Sequence, residues 1–293
     1  RTTYADNREL WMSSNSLQLV ERSRLTSAFA SIREFGVFVT GRFKTGRGSF
    51  LRPYIVLSNG DGKNVMGNDK GGLKIGGRID YLPFGLFTNI GQFRQIDVMR
   101  EQVPKLVVGV HYSHNSGMSS RRGRYSGRLI YLNNNDEESL PDYFKTGIDF
   151  LFKYKGLSAL GEYVKSSATV PSDITQRVRN DGSISTSFLV NDVQNVDAYV
   201  KGRMMLGEAY NFQLGYLFKN NISLDARYTH LKADNNSFMN NATFYNRPNY
   251  YTIGLTKLAG RNYGFKVQGS LTFIDGSLGI NHDNDLSLSL IHI

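Results

Sequence analysis

The stretch that most restricts the fold is a pair of alternating runs, Tyr210–Phe218 and Ile222–Leu231, joined by Lys219-Asn220-Asn221. In the first run Tyr210, Phe212, Leu214, Tyr216 and Phe218 share one parity, against Asn211, Gln213 and Gly215 on the other. In the second, Ile222, Leu224, Ala226 and Tyr228 alternate with Ser223, Asp225, Arg227 and Thr229. Successive side chains of a strand point to opposite faces, so period two specifies strand and the short polar link specifies a hairpin. The faces are unusual. One holds full charges, and the other ends in tyrosine and phenylalanine. Such a sheet satisfies both faces when the apolar side meets lipid, with aromatics at the interfaces, and the ionic side meets water. The expected fold class is all-β, a transmembrane antiparallel β-barrel.

Composition agrees and excludes several chemistries. With no Cys among 293 residues, disulfides, thiolate catalysis and cysteine-ligated metals are ruled out. The length allows one large domain or two small ones, and a single barrel domain over 1–293 is expected. A net charge of +10 suits nucleic acid, an anionic membrane surface or an anionic solute as partner. No apolar run reaches the roughly eighteen residues of a membrane helix, so membrane residence requires a barrel. Arg1-Thr2-Thr3-Tyr4 lacks the apolar region of a signal peptide.

Residues 1–32 alternate poorly, so Arg1–Tyr4 reads as the tail of a strand and 5–32 as a long excursion. Eleven strands are then expected at about 33–43, 50–58, 72–82, 104–113, 143–154, 157–166, 209–218, 222–231, 248–257, 263–273 and 285–293. The connectors 44–49, 155–156, 219–221 and 258–262 are short, while 59–71, 114–142, 167–208, 232–247 and 274–284 are long. Short and long links alternate as in antiparallel barrels, with tight turns at one end and extended loops at the other. The 83–103 connector is too long for the short side and is expected to hold a small extra element. Asn195–Leu206 alternates too, but counting it as a strand would put two short turns in succession, so it is assigned to the 167–208 loop. Eleven strands and a stump do not close with an even count. The expectation is that further strands precede Arg1, giving sixteen in all with about 11–12 represented here.

Several motifs carry a resemblance. Leu17–Phe29 with Glu21-Arg22-Ser23 and Ala28-Phe29, then Arg33 and Gly36-Val37 opening a strand, are similar to the phosphate-selective porin O and P family. Arg78-Ile79-Asp80-Tyr81 running into Pro83-Phe84-Gly85 adds to the likeness, as do Gly161-Glu162-Tyr163 and Gln213–Phe218 leading into Asp225-Ala226-Arg227-Tyr228. The likeness is to the Bacteroidota form of that family. It implies a sixteen-stranded outer-membrane barrel, commonly trimeric, in which residues 5–32 are an inward-folded constriction loop. The closely packed arginine ladder of the phosphate-specific members is not found.

On these strand phases Arg42, Lys44, Arg52, Lys74, Arg78, Lys145, Lys153, Arg227 and Lys266 face the lumen, against Asp80, Asp149, Glu162 and Asp225. Charges in a narrow aqueous pore with low-dielectric walls act at longer range than on an open surface, and Arg and Lys rings pass anions. The alternative is that these charges keep the lumen wet and pair with one another. Arg8, Arg22, Arg24 and Arg33 would line the constriction, or Glu21 and Glu34 would tie them up as salt bridges that pin the loop to the wall. Arg121, Arg122 and Arg124 lie in loop 114–142, either as a solvated tip, against surface lipid phosphates, or as a vestibule.

Enzyme signals are poor. His111, His114, His230, His282 and His292 are scattered without metal spacing, and Asn59-Gly60-Asp61-Gly62 reads as turn chemistry and not as a calcium loop. No enzyme activity, cofactor or metal is expected. The leading expectation is a bacterial outer-membrane porin for small hydrophilic solutes with a preference for anions, phosphate included. Membrane lipid, lipopolysaccharide and small anionic solutes are its partners, as a homotrimer or within a larger outer-membrane complex. The alternative is a structural barrel subunit with a plugged lumen. Nucleic-acid binding is disfavoured because aromatics and charges fall on opposite faces instead of interleaving on one.

Overall fold

The computed structural model describes residues 4–62, 70–240, 247–259, 264–275 and 283–292. Residues 1–3 of the expected strand tail Arg1–Tyr4, and His282, lie outside these residues. Each expected strand is present: β1 (Gly36–Thr40), β2 (Phe50–Ser58), β3 (Lys74–Leu82), β4 (Lys105–Asn115), β5 (Asp142–Tyr154) and β6 (Leu157–Thr169). The series continues with β7 (Gly207–Leu217), β8 (Ile222–Ala233), β9 (Asn249–Ala259), β10 (Phe265–Asp275) and β11 (Asp283–His292). They pair in sequence order, each antiparallel to the next, in a 12-stranded sheet whose remaining strand is the two-residue piece Phe43–Lys44 beside β2.

The expected strand 33–43 is interrupted. Thr40 pairs with Tyr54 and Phe43 with Leu51, so Gly41 and Arg42 stand opposite Pro53 and Arg52. Gly41 donates to the Pro53 carbonyl at 2.9 Å, but proline has no N–H to return the bond, and the ladder lapses there. Arg42 and Lys44 are consequently exposed at a break in the edge.

β1 and β11 are the two ends of the strand order and do not pair with each other, so the sheet is open and the described residues do not close a barrel. The sheet is nevertheless strongly curled. Leu17 lies in one apolar cluster with Met12, Leu82 of β3 and Val107 of β4, while its carbonyl accepts from Lys266 of β10 at 2.8 Å. β3 and β10 would stand about 33 Å apart in a flat sheet at 4.7–4.9 Å per strand. A stretch of a few residues touches both because the sheet wraps around it.

The wrapped segment is residues 4–34, with short helices α1 (Arg8–Trp11) and α2 (Arg24–Phe29). Ser23 caps α2 by accepting from the Thr26 amide at 3.2 Å. At the short-turn end, the 83–103 connector holds a kinked helical piece, Thr88–Phe93, broken by left-handed backbone at Asn89 and Ile90. It packs Ile96 against Leu217 and Leu258, and Asp97 accepts from the Gly156 amide at 2.8 Å. At the other end the long loops form a folded cap with a three-stranded and a two-stranded sheet of their own. Residues 195–206 lie in that cap as α3 (Val196–Lys201) and not as a strand. Asn195 caps it by accepting from the Ala198 amide at 2.9 Å. The cap core, built from Met118, Tyr131, Tyr143, Phe188 and Met204, has no counterpart in the strand alternation. Gly60 and Gly62, both at φ 77°, make the Asn59–Gly62 turn, and Asp61 inside it accepts from Ser119 and Ser120.

Candidate functional site

Burial along the strands is inverted relative to a water-soluble sheet. On β7 Asn211 is 2 % exposed and Gln213 0 %, while Tyr210, Phe212, Leu214 and Tyr216 on the opposite face are all exposed. On β8 Ser223, Asp225, Arg227 and Thr229 are buried beneath the inner segment and Leu224, Ala226 and Tyr228 are exposed. On β3 Lys74, Arg78 and Asp80 are buried while Ile75, Ile79 and Tyr81 are exposed. Phe218 at 44 % and Phe273 at 43 % are covered by no helix or second sheet.

The outer face is also graded along its height. Tyr163 opposes Tyr210, Phe212 opposes Tyr228, Tyr228 opposes Tyr251, and Tyr251 opposes Phe273, giving an aromatic row toward the long-loop end of β6–β10. Tyr81, Tyr154, Tyr216 and Phe218 lie toward the short-turn end, with Ile79, Ile148, Leu214 and Ile253 between the rows. Outward charges begin beyond the first row, where Tyr163 donates to Glu208 at 2.7 Å and Lys232 pairs with Glu208 at 3.0 Å. Lys257, opposite Ile222, marks the other limit. From Ile222 to Lys232 is about 33 Å along the strand, or about 25 Å of height at a 35–45° tilt.

The inner face is where the expected site residues converge. Arg8 of α1 donates to Asp80 at 2.8 Å and to Asp149 at 2.8 Å, and Arg78 donates to the same two carboxylates and to the Asp6 carbonyl. Two guanidiniums and two carboxylates form a neutral buried quartet, capped by Trp11 with its ring centroid 4.5 Å from the Arg78 guanidinium carbon. Lys145 donates to Asp6 at 2.6 Å, and Lys74 donates to Glu34 at 2.6 Å. The Asp6 carboxyl is held below its ordinary value: burial alone would raise it, but Lys145 and then Lys74 outweigh burial. Arg227 reaches the Glu21 carbonyl at 2.8 Å and stands 3.7 Å from Glu9. Lys153 donates to the carbonyls of Gly91 and Ile96, and Lys266 to those of Leu17 and Asn15.

Of the remaining expected residues, Arg22, Arg33, Arg42 and Arg52 form no ion pair among the described residues. Arg22 donates to the Met12 carbonyl, and the Arg24 guanidinium stands 5.4 Å from the Tyr250 ring centre. Arg33 is exposed, at a positive φ of 56°, and Arg42 is exposed at the strand break. Arg52 lies between the rings of Tyr54 and Phe93 at 5.7 and 5.4 Å.

Sequence reasoning did not single out the groups that fix the inner segment. Asp6 holds Lys145, and Glu9 accepts from the Ser23 amide and hydroxyl and from Thr26. Gln18 bonds at once to Ser158 of β6, Asp225 of β8 and Gln213 of β7. Gln95 joins the two internal elements, its amide donating to the Ser16 carbonyl and its side-chain oxygen accepting from Gln18 and Gln213. Polar residues spaced without alternation, in a segment too long to be a turn, were the one signal that this stretch packs on the charged face. Glu34 pins the segment to the wall through Lys74 and not through one of the loop arginines expected for it, whereas Glu21 contributes its backbone oxygen and leaves its side chain exposed.

No helix among the described residues is long and apolar enough to cross a membrane, a criterion that does not bear on strands. No family model, curated protein or solved structure matches the chain.

Proposed function

We propose that the chain forms the wall of a bacterial outer-membrane β-barrel of the porin O and P type and passes small hydrophilic solutes passively, with a preference for anions. The observation that carries this reading is the inverted sheet: an apolar outer face about 25 Å high, rimmed by aromatics and bounded by charges, around a buried ionic inner face. Water would penalise that outer face, and lipid would not. Lys74, Arg78, Lys145, Lys153, Arg227 and Lys266 supply a basic inner wall, and residues 4–34 set the bore. In this reading the short turns and the 83–103 connector lie on the periplasmic side and the loop cap faces outward.

A second reading, a structural barrel subunit with a filled lumen, is favoured by one specific observation. Asp6, Glu34, Asp80 and Asp149 already neutralise Lys145, Lys74, Arg78 and Arg8. The two readings separate in a planar bilayer. The purified chain is expected to give stepwise conductance with a reversal potential on the anion-selective side under a salt gradient. Replacing Lys74 and Lys145 by Gln is expected to weaken that selectivity. Silent bilayers together with stoichiometric protein partners on purification would overturn the channel and favour the subunit.

A further inference from the structure

The outer face is not evenly filled. On β9 its outward positions carry Tyr251, Ile253 and Leu255, and on β8 Leu224, Ala226 and Tyr228. On β3 they carry Ile75, Gly77, Ile79 and Tyr81, so one position has no side chain. Gly77 stands opposite Ile55 of β2 on one side and Tyr112 of β4 on the other. The result is an open groove of about 800 Å³ in the wall, floored by the backbone of Gly76–Arg78 and walled by Ile55, Ile75, Ile79, Val110 and Tyr112.

The groove has a width and a direction. Ile75 lies opposite His114 at its long-loop end, and Ile79 opposite Val110 toward the short turns. The two levels are about 13 Å apart along β3, at ~3.3 Å per residue. Ile55 and Tyr112 flank the floor from strands about 9.5 Å apart, less than the roughly 10–12 Å of a helix with its side chains. With those two side chains in place, the notch admits an extended hydrocarbon chain and excludes a helix. A neighbouring barrel wall, convex toward this one, would rest on the rim and leave the floor without contacts. Polarity is concentrated at the long-loop end. There His114 lines the groove, stacked on Phe144 with ring centres 4.5 Å apart, and its Nε2 stands 3.2 Å from Asp142 Oδ2. His114 and Asp142 are each 37 % exposed, so the pair is open to a ligand. Thr146, also on the rim, commits its hydroxyl to the His111 carbonyl at 3.2 Å. An apolar groove with one accessible polar pair at its end has the polarity of an amphiphile, tail along the floor and headgroup at the rim.

We infer that this groove holds one acyl chain of a membrane lipid, with the lipid's headgroup at the His114–Asp142 pair. The inference rests on the reading of the outer face as lipid-facing, and adds a fixed chain where the rest of the wall has exchanging contact. Lipid tails are as apolar as the wall, so exclusion of water does not drive the binding; close packing and the headgroup contact do. A chain on a flat wall is touched from one side, and a chain in the groove from three. About ten additional carbon contacts, each small alone, raise occupancy of the groove roughly tenfold over that of the flat wall. The site lies outside the sheet and does not depend on whether the lumen conducts.

The test places the full purified chain in nanodiscs of phosphatidylcholine that include phosphatidylcholine carrying a diazirine within one acyl chain. After photolysis, lipid adducts are located by peptide mass spectrometry. Adducts on β2–β4 are expected at roughly ten times the density, per outward residue, of those on β8 and β9. Gly77→Leu and Ile55→Trp, which each fill the notch, are expected to bring β2–β4 down to the level of β8 and β9, and Leu224→Trp to leave the pattern unchanged. A Cβ at Gly77 would stand 2.8 Å from the Tyr54 carbonyl oxygen, whereas Ile55 is 60 % exposed. Ile55→Trp therefore decides if Gly77→Leu alters the near-ultraviolet circular dichroism spectrum. Adducts at equal density around the parent chain would overturn the groove and leave the lipid-facing wall standing. No adducts on any outward strand residue would overturn the wall and the groove with it. A dense β2–β4 signal that persists in Ile55→Trp would place the chain elsewhere and overturn the assignment. Labelling of β8 and β9 with β2–β4 bare would give that face to a second copy and overturn it as well.

Discussion

Placing an arginine at Ile253 separates a lipid-facing sheet from a water-facing one. Ile253 is exposed on β9, opposite Ala226 and Leu271, and lies four residues from Lys257 at one limit of the apolar belt. Four residues at about 3.3 Å, tilted by about 40°, put it roughly 10 Å from that limit and close to the middle of the belt. An arginine at the midplane of a barrel wall costs about 2–4 kcal/mol, and one near the interface about 0–1 kcal/mol. On an ordinary aqueous surface either substitution would stay within about 0.5 kcal/mol. Ile253→Arg is therefore expected to lower the unfolding free energy by about 2–4 kcal/mol, and Ser167→Arg, exposed beyond Lys165 on β6, by less than about 1 kcal/mol. Urea titration of the chain in phosphatidylcholine vesicles, followed by emission of the single Trp11, measures both. Equal small shifts for the two variants would refute a lipid-facing wall, because depth would then carry no energy.

Three further outcomes follow from the inner face. Asp149→Asn leaves Arg8 and Arg78 with one carboxylate between them and is expected to cost about 3–5 kcal/mol in the same titration; a loss below about 1 kcal/mol would mean the quartet is well hydrated. Asp6 has a folded carboxyl below its ordinary 3.8, so its contribution is present above that value and is lost as pH falls through the lower folded one. Acidification below pH 3.8 is thus expected to loosen residues 4–34 and shift Trp11 emission, and Asp6→Asn to show the loosened signal already at neutral pH; an unaltered acid response in that variant would exclude Asp6 as its source. A Cβ at Gly76 would stand 2.8 Å from the Ala5 Cβ and 2.8 Å from the Tyr112 carbonyl oxygen. Gly76→Ala is expected to cost about 1–3 kcal/mol and to increase protease cleavage within residues 4–34, and unchanged cleavage would show that the segment yields without detaching.

The eleven labelled strands of the main sheet were legible in the chain, and so were their directions, but not the break that splits the expected 33–43 strand into β1 and the piece Phe43–Lys44. Alternation is local: a strand with two unlike faces must write them at every second residue, as Tyr210 to Phe218 do, and link lengths fix which ends are joined. The pairing of Glu34 with Lys74 was not legible, because Glu34 precedes the first strand and its partner lies 40 residues away. What the inner segment does was not written locally. Arg8, Glu9 and Gln18 carry no period, and their partners at Asp80, Glu162 and Asp225 lie between about 70 and 210 residues away. Only the curl of the sheet brings those partners within reach. The loop cap was equally hidden, because Phe188 and Tyr199, which pack edge to face within it, belong to loops whose packing no strand phase sets.

The sequence by itself determined which face of each strand is apolar, how the strands follow one another and that the inner wall is basic. The tertiary structure decided which of those basic groups are neutralised, by laying residues 4–34 across the charged face. The division has one cause. Side-chain direction follows from the backbone of a single strand, whereas the partner of a buried charge is chosen by whatever chain is brought within hydrogen-bond distance of it.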